Sequence, residues 1–248
     1  MSDGENSVYR KAQDLAAAAE NEAALHCYRD AIQAEPNNFK AIFGEGLMLQ
    51  RLSKHLEAIG AFTRVVKIQA NIREAYYSRA LSLISLNQYS RALQDLNYAL
   101  KLNPSDVDAM YARGIALKNL EQFEEALSAY STVLAQAGHY PPASHGRATI
   151  RHMMGDYEGA IADFSECLSQ GMDFYDVRFL RGLAYYRTRK YDEAIHDLSQ
   201  AILLRPEDGS TYIRRWQAYK DSGQEEKAAQ DLELGRKLLA QARGTREM

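Results

Sequence analysis

Residues 73–106, REAYYSRALSLISLNQYSRALQDLNYALKLNPSD, hold the pattern that decides the fold, because this pattern recurs along the chain with a period of 34 residues. Alanine marks the period most clearly, since Ala92 of this stretch has a counterpart in each of the other six units. The seven alanines of this register are Ala24, Ala58, Ala92, Ala126, Ala160, Ala194 and Ala228. A fixed period of roughly 20–50 residues predicts a repeat architecture in which stacked units bury a shared core.

Each unit reads as two helices joined by a turn. Ala92, Leu96 and Ala99 stand at i, i+4 and i+7, which places a small, a bulky and a small side chain on one helical face. Residues 87–88 supply an Asn-Gln turn before this helix, and residues 104–106 supply the Pro-Ser-Asp that ends it and caps the next. The sequence therefore predicts helix-turn-helix units with small residues where helices approach closely.

This pattern resembles the tetratricopeptide repeat, which has small residues at unit positions 8, 20 and 27, aromatic residues near 11, 17 and 24, and proline at 32. The terminal units depart from it at position 17, with Asn21 and Glu225, as expected where one side of a repeat faces water. The resemblance implies one all-α domain at residues 5–242, a right-handed α-solenoid of seven repeats, with short tails at 1–4 and 243–248. The units would begin at Glu5, Phe39, Arg73, Val107, Pro141, Tyr175 and Gly209.

The composition argues against several classes of protein. The formal net charge of −3 leaves no basic surface for nucleic acid as the main partner. No apolar run is long enough to span a membrane, and the polar N-terminus lacks the pattern of a secretory signal. Cys27 and Cys167 are too few for a disulfide framework. We therefore expect a reduced, cytoplasmic setting.

A stripe of arginines at position 7 has two interpretations. It could bind an anion or a peptide carboxylate, or it could pair internally with aspartates that follow sixteen residues later. Four of the five arginines have such an aspartate, which favours one internal ion pair per repeat. Sixteen residues after Arg113 stands Ala129, so Arg113 is expected to pair with Asp95 of the neighbouring unit. The residues are Arg79, Arg113, Arg147, Arg181 and Arg215, with Asp95, Asp163, Asp197 and Asp231.

Neither catalysis nor metal binding is indicated. The sequence has no glycine-rich phosphate loop, no nucleophile elbow and no paired His-Glu motif. His145 and His152 lie seven residues apart on one helical face, but no further ligands stand at metal-binding spacing. Carboxylates such as Glu124 and Asp192 fall on solvent-facing positions, and Cys167 occupies a core position. We expect no enzymatic activity, no metal and no cofactor.

The candidate binding face is predicted along the first helices of the repeats. Positions 2, 5, 9 and 12 of each first helix share one face, and the resemblance implies that this face points into a concave groove. Many family members have Asn at position 9, where this chain has aliphatic residues, and position 6 is small at Gly44 and Gly146, which suggests a roomy apolar groove. The candidate residues are Tyr9, Phe43, Leu47, Tyr77, Leu81, Tyr111, Ile115, His145, His152, Phe179, Leu183 and Tyr186.

Two functions fit this pattern. The first is a scaffold that binds an apolar segment of another protein in the groove. The second is a self-assembling structural protein that joins end to end through Leu234, Leu238 and Leu239 of its last helix. The groove side chains could also be partly buried by neighbouring helices, which leaves the first function open. Trp216, which replaces the small residue of position 8 in the last unit, is expected to be largely buried.

One known family ligand is not expected. Members that bind the acidic C-termini of heat-shock chaperones share a two-carboxylate clamp of Lys, Asn and Arg residues over three successive units. No three successive units of this chain supply that set, since Arg10 and Arg214 hold position 6 at opposite ends of the chain. We therefore do not expect chaperone tails as partners.

Overall fold

In the computed structural model, the backbone is described for residues 3–244 and the side chains for residues 8–242. All regular secondary structure in this part of the chain is α-helical. The chain divides into two compact units, Met1–Glu125 and Ala126–Met248. The single continuous domain stays a prediction.

In the first unit, helices that follow one another in sequence pack side by side, up to the contact of α6 with α7. The odd-numbered helices are the first helices of the repeats, and α3, α5 and α7 begin at the residues where the repeats were predicted to begin. The helices are α1 (Asp3–Ala17), α2 (Asn21–Ala34), α3 (Phe39–Arg51), α4 (His55–Ile68), α5 (Arg73–Ser85), α6 (Tyr89–Leu102) and α7 (Val107–Asn119).

The second unit repeats this arrangement from α9 to α14, again with each helix packed on the next. The boundary between the two units falls in the first turn of α8. The first helices α9, α11 and α13 again begin at predicted repeat starts. The helices are α8 (Phe123–Ala137), α9 (Pro141–Met154), α10 (Tyr157–Ser169), α11 (Tyr175–Arg187), α12 (Tyr191–Leu204), α13 (Gly209–Asp221) and α14 (Glu225–Gly244).

The turn inside each repeat has the same geometry throughout. The residue at position 15 has a positive φ, and the next amide donates back to the carbonyl of position 11, as Gln88 N does to Leu83 O over 2.8 Å. This is the Schellman end of a helix, which favours Gly or Asn. Only three of the seven repeats have one of these residues there. The residues are Ala19, Ser53, Asn87, Glu121, Gly155, Arg189 and Gly223.

Small residues at position 6 pack against the preceding repeat. A Cβ on Gly44 would lie 2.5 Å from the ring of Tyr28, and one on Gly146 would lie 2.7 Å from the ring of Tyr130. Both tyrosines belong to the second helix of the repeat before. The expectation that these glycines make the groove roomy is therefore wrong, because they admit a neighbouring tyrosine into the core.

Four of the five arginines of position 7 form the predicted internal ion pairs. Arg79 Nε and Nη2 donate to Asp95 Oδ2 and Oδ1, each over 2.7 Å. Its remaining nitrogen, Nη1, donates to Thr63 Oγ1 of the preceding repeat over 3.0 Å. Each arginine thus ties two repeats together, and none is left to form an anion-binding stripe. The same three-residue cluster recurs as Arg147, Asp163 and Ser131, as Arg181, Asp197 and Ser165, and as Arg215, Asp231 and Ser199.

Arg113 departs from this pattern, as its sequence indicated, but with a different partner from the one expected. Its Nε donates to Asn97 Oδ1 over 2.9 Å. Asn97 occupies the position that Thr63 holds one repeat earlier, while the carboxylate of Asp95 is engaged by Arg79. The fourth repeat therefore keeps the contact to its preceding repeat and replaces an ion pair by a neutral acceptor.

Candidate partner-binding face

The face at positions 5, 9 and 12 of the first helices, here called the open face, contains the twelve predicted residues. Every one of these side chains is half-buried: none is enclosed in the core and none stands fully in water. Each of these side chains is therefore covered in part by neighbouring residues and exposed in part to solvent.

In the first unit, position 5 explains how these side chains are held. The ring of Tyr9 contacts Tyr28 edge to face, with centroids 5.9 Å apart, and Phe43 contacts Phe62 at 5.5 Å. These partners lie on the second helix of the same repeat and are buried. The core thus fixes one side of each position-5 ring, and Leu47 packs on the same cluster from position 9. Rigid, half-exposed apolar side chains of this kind suit binding, since little conformational freedom is left to lose.

The other predicted residues of the first unit follow the same pattern one and two repeats further on. Tyr77 and Leu81 pack against the core cluster around Leu96 while remaining partly exposed. Burial raises the pKa of the Tyr77 and Tyr111 phenols. Ile115 is half-buried at position 9 of α7. Positions 5 and 9 of this part of the open face therefore carry no charge at neutral pH, whereas position 12 of α7 is the half-buried Lys118.

A pocket of about 220 Å³ opens on the first unit, at the N-terminal ends of α3 and α5. Its walls include two of the predicted residues, Tyr9 and Phe43. Its other residues were not singled out as binding residues from the sequence, because the pocket as a whole is built from three successive repeats that only the fold brings together. The complete lining is Tyr9, Phe39, Lys40, Phe43, Ile72 and Glu74.

In the second unit the predicted residues are more polar in their contacts. His145 contacts the buried ring of Phe164 edge to face, at 6.0 Å between centroids. Tyr186 donates from its hydroxyl to Asp221 Oδ2 over 2.7 Å, and this bond is the main reason that its pKa is raised. The ring of Phe179 stacks on Tyr175, with centroids 5.5 Å apart.

His152 is the least satisfied polar group of this part of the open face. Its Nε2 is buried without a hydrogen-bond partner among the described residues, and its ring meets Tyr157 edge to face at 5.5 Å. Burial lowers its pKa, and the charge of Arg187 lowers it further. The imidazole is therefore neutral at pH 7. Leu183, the position-9 residue of α11, is half-buried like its counterparts in the first unit.

Metal and thiol chemistry find no support in the described part of the chain. Among residues 8–242, no group of three or more His, Cys, Asp or Glu side chains is arranged to hold a metal ion. Burial raises the pKa of Cys167 to about 11, which keeps it in the unreactive thiol form. No helix within residues 3–244 is both long and apolar enough to cross a bilayer.

The two ends of the repeat array are polar where inner repeats are apolar. Position 10 is buried in the second to seventh repeats but is the exposed Asp14 in the first. Position 28 is aliphatic in the first six repeats but is the exposed Arg236 in the last. Such polar outer faces are typical of capping repeats, which keep a solenoid from stacking on another copy.

The C-terminal leucines partly cover their own neighbours. A Cβ on Gly209 would lie 3.0 Å from both Leu238 Cβ and Leu239 Cγ, so these leucines pack over the start of α13. Leu234 and Leu239 are still 40% and 37% exposed. Trp216 is half-buried, with the Lys220 amino group 5.7 Å from its ring centroid. The indole is therefore less enclosed than the small residues at position 8 of the inner repeats.

Family models for the tetratricopeptide repeat match this chain at residues 9–71, 77–141 and 175–208. These ranges cover more than half of the sequence. The chain belongs to the tetratricopeptide repeat family. Tetratricopeptide repeats typically serve as protein-interaction scaffolds rather than as enzymes, and this tetratricopeptide repeat protein has the corresponding all-helical repeat solenoid. No curated protein matches this chain in sequence.

Solved structures share the fold at low sequence identity. A tetratricopeptide repeat protein from Parabacteroides merdae superposes with a TM-score of 0.71 at 20% identity, covering 96% of this chain and 94% of its own. MamA from Desulfovibrio magneticus RS-1 reaches 0.66 at 22% identity, covering 68% and 96%. YrrB, described as having an unusual peptide-binding site, reaches 0.66 at 20% identity, covering 72% and 92%.

Proposed function

We propose that this protein is a non-enzymatic adaptor that binds an apolar segment of a partner protein in a groove lined by the open face. The carrying observation is the half-burial of the twelve predicted side chains, which all lie at positions 5, 9 or 12. Aliphatic residues at position 9 favour an apolar partner over one held through its backbone. Burying apolar surface contributes roughly 25 cal/mol per Å², so two or three such side chains can decide affinity.

A cytoplasmic setting is part of the same proposal. Cys27 and Cys167 are both free thiols, and each lies in a different compact unit of the chain. Free thiols are the usual state of cysteine in a reducing compartment.

The test is capture of partners by the wild-type protein and by Leu81→Asp and Ile115→Asp variants. Each variant places a charge on the open face, so we expect capture to be lost while far-UV circular dichroism and Tm stay close to wild type. Leu56→Asp is the matched control, because Leu56 is 70% exposed on a second helix. Partners that survive both groove variants would move binding to another surface. Unfolding of the variants would assign these side chains to the core.

End-to-end self-assembly is the second candidate, supported by the partial exposure of Leu234 and Leu239. The polar residues at both ends, Asp14 and Arg236, weigh against it. The measurement is solution mass over a range of protein concentrations. We expect a monomer; a mass that grows with concentration and returns to the monomer value in a Leu234→Asp, Leu239→Asp variant would favour assembly instead.

A further inference from the structure

The pocket on the first unit has apolar walls. Tyr9 and Phe43 are half-buried and fixed from behind by Tyr28 and Phe62, as the ring contacts show. Ile72 completes the apolar lining at the start of α5. This apolar part of the pocket takes an aliphatic or aromatic side chain, because a polar group placed against these three residues would lose its water without gaining a partner there.

A cation without a partner stands at the same pocket. Lys40 lies three residues before Phe43 on α3, so the two share a face of that helix. Its side chain is exposed and forms no hydrogen bond or ion pair with any residue that the structure describes. Exposed lysines are common, but this one lines an apolar pocket, where a carboxylate brought in by a ligand would find it unoccupied.

The acidic residue of the pocket is already engaged. Glu74 Oε1 accepts from Arg73 Nη2 over 3.0 Å and from Arg73 Nε over 3.3 Å. Arg73 in turn is bonded to Asp106, which caps the start of α7. Glu74 is therefore partly neutralised, whereas Lys40 is not. The charge that the pocket offers to a ligand is positive on the α3 side.

We propose, on the basis of the function proposed above, that this pocket selects a specific dipeptide within the partner segment. A leucine or aromatic side chain enters the pocket, and the residue next to it is Asp or Glu, whose carboxylate pairs with Lys40. The carboxylate belongs to a side chain and not to a chain terminus. The reason is that the open face continues past the pocket at Leu47 and Leu81, and the groove binding proposed above has the bound segment contact these residues as well.

The experiment is selection from a displayed library of random, internally presented peptides on the full-length protein. The same selection is made on Lys40→Glu and on Lys67→Glu, the latter an exposed lysine on α4 that is not part of the pocket lining. We expect the wild type and Lys67→Glu to enrich leucine or an aromatic residue followed or preceded by Asp or Glu. Lys40→Glu should lose the acidic preference and weaken binding of the best wild-type peptide about tenfold, an effect that shrinks at high salt.

A second variant tests whether the pocket prefers an acidic or a basic group in its ligand. Glu74→Gln removes a like charge near the bound carboxylate, so the same peptide should bind more tightly. Weaker binding to Glu74→Gln would overturn the proposal, since it would mean that the pocket recognises a basic group.

The remaining outcomes separate this inference from the proposed function. Peptides that are insensitive to Lys40→Glu but lost with Leu81→Asp would overturn the dipeptide and leave groove binding intact. Peptides insensitive to both variants would contradict both. A selection that enriches no sequence at all would overturn the dipeptide, while groove binding would still be judged by the partner capture described above.

Discussion

Leu81 and Ser82 are neighbours on α5, but Ser82 lies in the buried contact between repeats and Leu81 lies on the open face. Ser82 is completely buried and accepts a hydrogen bond from Gln50 Nε2 over 2.8 Å, whereas Leu81 remains partly exposed. Polarity alone would have assigned the two the other way round. The difference teaches that position in the repeat, and not residue type, decides which side chains hold the solenoid together and which are left for a partner.

The same division between buried and open positions runs along the first helices of the second to fifth repeats. Positions 3, 6 and 10, here called the packed face, are buried in the second to fifth repeats, and positions 5, 9 and 12 are not. Side chains on the packed face meet the preceding repeat, as Gly44 meets Tyr28. On the open face, position 5 meets the second helix of its own repeat, as Phe43 meets Phe62. Position 12 can reach the next repeat, as Tyr186 reaches Asp221. Substitutions on either side should therefore differ in what they damage.

The largest expected effect compares a charge placed in the core, at position 11, with a charge placed on the open face, at position 9. Leu83 is 1% exposed, so Leu83→Asp buries a carboxylate and removes a core side chain; we expect a loss of about 4 kcal/mol or more in the free energy of unfolding. Leu81→Asp should cost about 1 kcal/mol. Urea denaturation followed by circular dichroism measures both. Similar losses in the two variants would contradict the distinction between the core and the open face.

A smaller effect is expected where the repeats are joined by charge. Asp197 is fully buried and receives Arg181 and Arg178, so Asp197→Ala leaves two guanidinium groups short of an acceptor. The expected loss is about 3–5 kcal/mol, at the lower end because these arginines keep some exposure. Asn97→Ala, which removes the exposed acceptor of Arg113, is the control and should cost under about 1 kcal/mol. Equal losses would mean that burial of the carboxylate is not what makes the cluster stabilising.

Much of this arrangement could be predicted from the sequence. The 34-residue period places the repeats, and the sixteen-residue spacing of Arg79 and Asp95 predicts an ion pair that the structure confirms. Period and spacing succeed because helical geometry is the same in every unit. They fail for Gly44, since a small residue has no side chain whose direction could be judged, and its neighbour Tyr28 is known only once two repeats are stacked.

The candidate site was only partly predictable for the same reason. Tyr9 and Phe43 follow from the periodicity of a single helix, so the sequence finds them. Lys40, Ile72 and Glu74 join them in a pocket only because three repeats are brought together. The sequence does hold a signal for Lys40. It stands at position 2, on the same helical face as position 5, and the units before and after it have no lysine at that position.

A third prediction tests the packed face through glycine. Gly44→Ala places a methyl group 2.5 Å from the Tyr28 ring, so either the ring or α3 must shift, at an expected cost of about 1–3 kcal/mol. Gly60→Ala on α4 meets nothing within 4 Å and should raise stability by roughly 0.5–1 kcal/mol, because alanine favours helix. The two variants make the same chemical change with opposite signs. A gain for both would show that Tyr28 yields freely and that the close approach contributes little.

The smallest effect concerns neither face but the turn that connects the two helices of each repeat. Arg189 has a φ of 61°, in the left-handed region that costs a non-glycine residue roughly 1–2 kcal/mol. Its side chain is exposed and forms no hydrogen bond or ion pair within residues 8–242. Arg189→Gly relieves the strain but gives the unfolded chain more conformational freedom, so the expected gain in the free energy of unfolding is about 0.5–1 kcal/mol.

Gly155 holds the same position one repeat earlier with a φ of 85°, and Gly155→Ala should lower the free energy of unfolding by about as much. Both changes leave the open face untouched, so partner binding should not respond. Unfolding free energies that move in the same direction for the two variants would contradict the common turn geometry, since position 15 would then obey different rules in adjacent repeats.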